Sequence, residues 1–206
     1  MILKHTTKEF RDCSIDMIKK CIEGEPDVGS VPTYPGMKKT EAITGQNTEN
    51  VVPNEGKITF DIRFRVCIPG GGNMKILINI EAQKDYYPGY DLVTRAVFYC
   101  ARMLSSQLET EFTPDNYDNI KKVYSIWICM DTPQYAENTI TSYEIVPQNM
   151  YGNFSGKARY DLLSAVMVCL PKDGDTSGGN KLHKLLSAVL SEELDVESKK
   201  QILKDD

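Results

Sequence analysis

The sequence predicts an α/β fold in which helices flank a mixed central sheet. Apolar and polar residues alternate along 58–68 and again along 74–83, which indicates two half-buried strands joined as a hairpin. A broad apolar face at helical spacing follows at 90–109. Further segments rich in β-forming residues occupy 122–130, 139–146 and 162–170. A chain that mixes such segments is expected to cover its sheet with helices.

Helices are expected at both ends of the chain. Thr7 is a suitable N-cap for an opening helix to about Glu23, with Gly24 as its stop. Near the other end, 181–190 and 196–203 have helical patterns. The length of 206 residues predicts one domain, 1–206, and leaves open whether a helical segment 181–206 is separate.

Two parts of the chain allow more than one interpretation. The run 162–170 is too short for periodicity to distinguish a strand from a buried helix. Residues 25–57 contain several prolines and glycines, so they are expected to form an irregular loop with one or two short strands.

The charge of the chain limits how it could bind nucleic acid. The net charge is −5, from 24 Lys and Arg against 29 Asp and Glu, and the isoelectric point is about 5.2. An acidic protein does not coat nucleic acid through overall charge, so any contact with DNA is expected to be local.

Cysteine spacing and hydropathy indicate a cytoplasmic protein. The six cysteines form no Cys-x-x-Cys pair and most lie in apolar stretches, which is typical of buried thiols in a reducing compartment. The first residues lack the apolar core of a signal peptide, and the longest apolar run, 162–170, is too short to cross a bilayer. We therefore expect no disulfides, no zinc site and no membrane insertion.

The predicted hairpin brings two carboxylates to one face. In a symmetric antiparallel pair centred on Gly71, the numbers of opposed residues sum to 142, which places Asp61 opposite Glu81. The same register makes the other face wholly apolar, by pairing Phe60 with Ala82, Ile62 with Ile80, Phe64 with Ile78 and Val66 with Ile76. A register shifted by two residues would keep the shared face but separate the carboxylates by one step.

Opposed carboxylates point to a metal site. Like charges facing each other across strands are unfavourable, and a cation between them removes the repulsion. Two carboxylates with water suit Mg²⁺ or Mn²⁺, which are completed by substrate phosphate. Such an ion supports phosphodiester hydrolysis by activating water and stabilising developing charge. Gln83 follows on the same face, where it could orient the water or contact the phosphate.

This motif resembles a known nuclease signature. Asp61, the glycine-rich turn and Ile80-Glu81-Ala82-Gln83 resemble the Asp…(Asp/Glu)-x-Lys pattern of PD-(D/E)XK nucleases. The Glu-x-Gln form is similar to the transposase-associated, recombination-promoting branch. Segments within residues 40–170 also look like that branch, namely 45–56, 91–107 and 123–128.

The resemblance implies a restriction-endonuclease-like fold and a Mg²⁺-dependent DNA endonuclease, linked to recombination or mobile elements. It implies catalytic roles for Asp61, Glu81 and Gln83, with the metal on Asp61 and Glu81. One departure is that glutamine stands where the motif usually has lysine, while the adjacent Lys84 points to the opposite face of a regular strand.

Further candidates surround this motif. Nucleases of this superfamily often carry an additional acid, and the candidates are Glu49, Glu55 and Glu9. Candidate contacts to nucleic acid are the residues that share one face of the following helix together with the lysine after the motif, namely Arg95, Tyr99, Arg102 and Lys84.

Other interpretations remain open at this point. Arg63 and Arg65 could neutralise both carboxylates on a solvated face of the sheet. Arg95 and Tyr99 could belong to an amphipathic helix whose arginine lies over the core. At the level of function, the alternatives are a degenerate nuclease fold that binds DNA or protein, or an RNA nuclease. A homodimer is also open.

Overall fold

A six-stranded mixed sheet forms the centre of the protein. The computed structural model describes residues 1–28, 49–52, 56–59, 61–70, 75–173, 175 and 177–204. The helices are Ile2–Thr6 (α1), Ile15–Cys21 (α2), Leu92–Ser105 (α3), Lys181–Leu190 (α4) and Val196–Lys204 (α5), with a short 3-10 turn at Tyr117–Asn119. The strands are Ile22–Val28 (β1), Glu49–Val52 (β2), Gly56–Thr59 (β3), Ile62–Cys67 (β4), Lys75–Asp85 (β5), Lys122–Asp131 (β6), Thr139–Glu144 (β7) and Leu163–Cys169 (β8).

The sheet has an antiparallel half and a half that contains parallel strands. Its strand order is β1-β4-β5-β6-β8-β7, and β2 and β3 form a separate two-stranded sheet. The pairs β1/β4 and β4/β5 are antiparallel, β5/β6 and β6/β8 are parallel, and β7 runs antiparallel to β8. The α/β class with a mixed sheet flanked by helices is confirmed.

Each face of the sheet is covered by a different core. Strand alternation sends Ile78 into a cluster with Phe10 and Leu182, which we call the first core. The same alternation sends Leu77 to the other face, into a cluster with Ala96 of α3 and Trp127 of β6, which we call the second core. Because Leu182 is fully buried in the first core, α4 packs on the same sheet as the rest of the domain.

The hairpin has the predicted register. Ile62 pairs with Ile80, Phe64 with Ile78, and Val66 with Ile76, so the opposed numbers sum to 142 as expected. The predicted continuous strand 58–68 is divided into β3 and β4, and Asp61 lies at a bend just before β4. Phe60 and the turn residues 71–74 lie outside the described residues.

The prediction of one opening helix capped by Thr7 is wrong. The predicted span 7–23 contains only α2 as a helix, and Thr7 follows the end of α1, where its hydroxyl donates back to the carbonyl of Leu3. Ser14 is the N-cap of α2, since its side chain accepts from the Met17 N–H. Gly24 lies inside β1 with φ +66, in the left-handed region that glycine tolerates.

The remaining elements lie close to their predicted bounds. Residues 163–169 are a strand, which the sequence left undecided, because β6 and β7 supply hydrogen-bonding partners on both sides. The third helix ends at Ser105, four residues before the predicted end at 109. No helix among the described residues is both long and apolar enough to cross a membrane.

Removal of the α4 cap is expected to lower stability. The Asn180 side chain accepts from the main-chain N–H of Leu182 and of His183. Asn180→Ala should decrease the free energy of unfolding by roughly 1 kcal/mol, because both donors lose this acceptor. Asn180→Asp is the control, since it keeps the acceptor. Equal urea midpoints for the wild type and the alanine variant would contradict this role.

Candidate active site

Asp61 and Glu81 lie together at the centre of the candidate site. The Asp61 N–H donates to Glu81 Oε1 at 3.1 Å, and the Ala82 N–H donates to Asp61 Oδ2 at 3.0 Å. Each carboxylate therefore accepts a hydrogen bond from the main chain beside the other. This reciprocal arrangement follows from the register of β4 and β5, which brings the bend at Asp61 opposite the middle of β5.

Both carboxyl groups have raised pKa values. Burial, followed by the charge of Asp61, raises the pKa of Glu81 to about 7, and its side chain is only 4% exposed. Burial also raises the pKa of Asp61, against the hydrogen bond from Ala82. The folded protein therefore resists placing two negative charges here, and a bound cation would relieve that cost.

An arginine enclosed by aromatic rings lies beside the pair. Arg95, in the first turn of α3, donates from Nη1 to the Tyr90 hydroxyl and from Nη2 to the Tyr99 hydroxyl, each at 2.8 Å. Its guanidinium carbon lies 5.1 Å from the ring centroids of Tyr99 and Trp127 and 5.9 Å from that of Tyr90. Its charge lowers the pKa of both Asp61 and Glu81, against the larger effect of burial. We call Tyr90, Tyr99 and Trp127 the aromatic cage.

A row of buried polar side chains lies next to Glu81 on the same face of the sheet. Asn79 is fully buried two residues earlier on the same face, and its side chain hydrogen-bonds to the Glu81 carboxylate. Asn79 Nδ2 also donates to Ser125 Oγ at 3.2 Å, and Trp127 Nε1 donates to the same oxygen at 2.9 Å. The row therefore links the acid to one ring of the aromatic cage, which fixes both in position.

The carboxylate pair meets part of what a hard cation requires. Asp61 and Glu81 offer oxygen ligands of the type that Mg²⁺ and Mn²⁺ prefer, and such ions keep several waters as further ligands. No group of three or more His, Cys, Asp or Glu suited to a metal ion occurs within the described part of the chain. The donor set thus fits an ion held by two carboxylates and completed by water and substrate.

Arg65 of β4 has an acidic partner outside this pair. Arg65 forms an ion pair with Glu111 at 2.5 Å, in the connection after α3. The cation whose charge acts on both Asp61 and Glu81 is Arg95. The sequence placed Arg95 on a helical face beside the predicted site but did not show its partners, because helical periodicity gives the face of a side chain and not its contacts.

Gln83 and Lys84 lie on opposite sides of β5. Gln83 shares the face of Glu81 and donates from Nε2 to the Asp85 carbonyl at 3.1 Å. Lys84 forms an ion pair with Glu192 at 3.2 Å, after α4 and on the other side of the sheet. Lys84 is therefore not part of the surface around the carboxylates, so its assignment to nucleic-acid contact is not supported.

The structure also corrects two assignments on α3. Arg102 is 2% exposed and Tyr99 is 6% exposed, so neither side chain is available to a ligand outside the protein. The helix turns the face shared with Arg95 towards the second core, and only its first turn emerges beside the carboxylates. Tyr99 instead holds the arginine through its hydroxyl.

The three candidate additional acids differ in where they lie relative to the site. Glu9 accepts from Lys122 Nζ at 3.0 Å and from the Tyr124 hydroxyl at 2.8 Å, and Tyr124 faces the first core. It therefore lies across the sheet from Glu81 and is not part of the site. The main chain of Glu49 pairs with Thr59, two residues before Asp61. Glu55 lies outside the described residues.

Sequence reasoning missed Asn79 and Trp127 as parts of the site. Glu81 pairs in register with Trp127 on a parallel strand, and parallel pairing across a helical crossover has no local turn from which register can be calculated. The sequence did contain a signal for Asn79. Alternate residues of a strand lie on the same face, and Asn79 precedes Glu81 by two residues.

Comparison of the chain with protein-family models, with curated proteins and with solved structures finds no match. The chemistry of the site therefore rests on the described geometry and on the motif itself.

Proposed function

We propose that the protein is a metal-dependent DNA endonuclease of the PD-(D/E)XK type, with Asp61 and Glu81 as its metal ligands. The observation that carries the proposal is the direct apposition of two carboxylates, one of them almost fully buried, across a hairpin. A fold keeps such a repulsive pair most readily when its function requires a cation there.

The arrangement of the elements supports the same proposal. The resemblance implies a sheet built around the 58–83 hairpin, with the opening helical segment and the helix after the motif as flanking layers. The six-stranded mixed sheet has α1 and α2 packed on one face and α3 on the other. We take the restriction-endonuclease-like fold as part of the proposal.

In this proposal the site residues would have distinct roles. Asp61 and Glu81 would hold Mg²⁺ or Mn²⁺, and Glu81 would have to be ionised to do so. The ion supplies an activated water and positive charge at the scissile phosphate. Gln83 has an amide on the same face of β5, where it can orient water or substrate without carrying charge.

Incubation with supercoiled plasmid tests this proposal. We expect nicking of the plasmid in Mg²⁺ or Mn²⁺ and none in EDTA, since removal of the ion leaves no activated water. The matched control is the same protein in Ca²⁺, which is larger and less strict in its geometry. Plasmid that stays intact in Mg²⁺ and Mn²⁺ across pH 6 to 9 would refute the endonuclease.

A DNA-binding or protein-interaction module is the second candidate. The observation that favours it is that each carboxylate also braces the main chain beside the other, which is a structural role that needs no metal. Binding of a DNA duplex without cleavage in any divalent ion would favour this candidate.

A further inference from the structure

The arginine next to the carboxylate pair makes no direct hydrogen bond to either acid. Arg95 directs both terminal nitrogens to tyrosine hydroxyls, although its charge acts on Asp61 and Glu81. A guanidinium that served only as their counter-ion would gain more from a bidentate bond to a carboxylate. Arg95 therefore lies near the two acids without a hydrogen bond to either of them.

The aromatic cage fixes where the charge lies. Trp127 and Tyr99 are buried, and their ring faces attract the guanidinium and restrict its motion. Tyr90 is 44% exposed, so the cage opens to solvent on that side. Arg95 itself is partly exposed. A ligand that approaches the carboxylates can reach the guanidinium without a rearrangement of the core.

The sequence lacks a positive charge where the resembling motif has one. Gln83 takes the lysine position and carries no charge, and its amide donates to the Asp85 carbonyl. Lys84 pairs with Glu192 on the other side of the sheet. Arg63 and Arg65 of β4 also face this side of the sheet, because their partners in β5 are Asn79 and Leu77. Arg95 is the cation that lies over the ring of Trp127, which is the register partner of Glu81.

We propose that Arg95 contacts the phosphate of the bound nucleic acid and supplies the positive charge that Gln83 does not. The inference rests on the proposed function for the identity of the ligand. Arg95 is then a catalytic residue that stabilises the charge developing on the phosphoryl oxygens, and Tyr90 and Tyr99 are positioning residues that orient its planar donors.

A binding measurement tests the contact without any cleavage. The probe is a short fluorescent DNA duplex in Ca²⁺, with affinity measured by anisotropy as a function of salt. Arg95→Gln should weaken binding about 10-fold and reduce the slope of log affinity against log salt by roughly one, as expected for one lost phosphate contact. Arg11→Gln is the matched control, since Arg11 is exposed between α1 and α2 and should leave both values unchanged.

A second set of variants separates positioning from general stability. Tyr99→Phe removes the hydroxyl that receives Arg95 Nη2 but keeps the ring, so it should weaken duplex binding while the fold is retained. Trp127 is the only tryptophan in the chain and contacts Arg95. Its fluorescence should change when the duplex binds to the wild type and stay constant with Arg95→Gln.

If the protein cleaves DNA, the same variants have a catalytic readout. Arg95→Gln should lower kcat by roughly 10²- to 10³-fold, the usual effect of losing one transition-state donor. Arg95→Lys should recover part of the loss, because it restores charge without the planar pair of donors. The shift in Tm produced by Mg²⁺ should be no smaller in Arg95→Gln than in the wild type, because Arg95 is not a metal ligand and its positive charge opposes the ion.

The inference and the proposed function fail in different ways. Unchanged duplex affinity and salt slope in Arg95→Gln would overturn the phosphate contact, even if the wild type cleaves DNA. Loss of the Mg²⁺-induced rise in Tm in that variant would overturn the separation of Arg95 from the metal ligands. Absence of cleavage together with the expected loss of affinity would refute the nuclease and retain Arg95 as a phosphate-binding residue.

Discussion

Asp61→Asn and Glu81→Gln are each expected to reduce Mg²⁺-dependent DNA cleavage by roughly 10³-fold, because each removes one of two charged ligands of the ion. Both substitutions keep the shape of the side chain and one carbonyl oxygen. That oxygen can still accept the main-chain N–H of Ala82 or of Asp61, so the brace between β4 and β5 should persist.

Initial rates of plasmid nicking at saturating Mg²⁺ provide the measurement. Glu193→Gln is the control, since Glu193 is exposed in the connection between α4 and α5 and its loss should not alter the rate. Activity within a few-fold of the wild type in either Asp61→Asn or Glu81→Gln would remove these residues from the metal site. The reciprocal bonds would then be purely structural.

Glu81→Gln is also expected to stabilise the metal-free protein at alkaline pH. The pKa of Glu81 is about 7 in the folded protein against an ordinary value of 4.5, so the folded state holds its proton more tightly than the unfolded state does. The stability that this protonation provides is fully present below pH 4.5 and is lost as the pH rises to about 7. Above that range, ionised Glu81 costs the folded state roughly 3 kcal/mol.

The difference between the two proteins isolates the Glu81 carboxyl group together with its charge coupling to Asp61, because the substitution changes no other group. In EDTA the free energies of unfolding should agree near pH 4, and the variant should exceed the wild type by up to about 3 kcal/mol at pH 8. Glu9→Gln is the contrasting control, since it breaks the ion pair with Lys122 and should lower stability. A wild-type to Glu81→Gln difference that does not vary between pH 5 and 8 would contradict the buried charge.

Mg²⁺ should reverse the order of stability at pH 8. An ion bound only by the folded wild type adds about 4.1 kcal/mol at 1,000 times its Kd, while the glutamine variant lacks one ligand and should respond little. Asp61→Asn should behave in the same direction, because it too relieves the repulsion between the two acids.

The carboxylate pair could be predicted because it depends on local geometry. Strand alternation and a symmetric turn sufficed to place Ile62 opposite Ile80 and hence Asp61 near Glu81. The aromatic cage could not be predicted in this way, since the pairing of Glu81 with Trp127 depends on how α3, which connects β5 to the parallel strand β6, packs on the face of the sheet. The prediction of Thr7 as an N-cap was also wrong, because its hydroxyl donates to a carbonyl of the preceding helix.

Helix α3 shows why a shared helical face is a weak guide to ligand contact. Arg95 and Arg102 lie two turns apart on one face, yet Arg102 is buried whereas Arg95 reaches the edge of the site. The sequence shows the angular position of each side chain around the helix axis. How far the neighbouring elements cover the helix along its length is a property of the tertiary fold.

Strand β5 pairs antiparallel with β4 and parallel with β6. This difference has a consequence for the folding kinetics. The β4/β5 hairpin joins Asp61 to Glu81 across a separation of 20 residues, and a hairpin of this kind closes early because its loop entropy is small. In the isolated β4/β5 hairpin, before α3 and β6 pack against it, both acids remain hydrated. Their ionisation then carries no cost of burial. Their repulsion becomes costly only when α3 and β6 dock, which buries Glu81 and brings in Arg95. The docking of α3 is thus the folding step that should accelerate as the pH falls below 7, whereas hairpin closure should not depend on pH in that range.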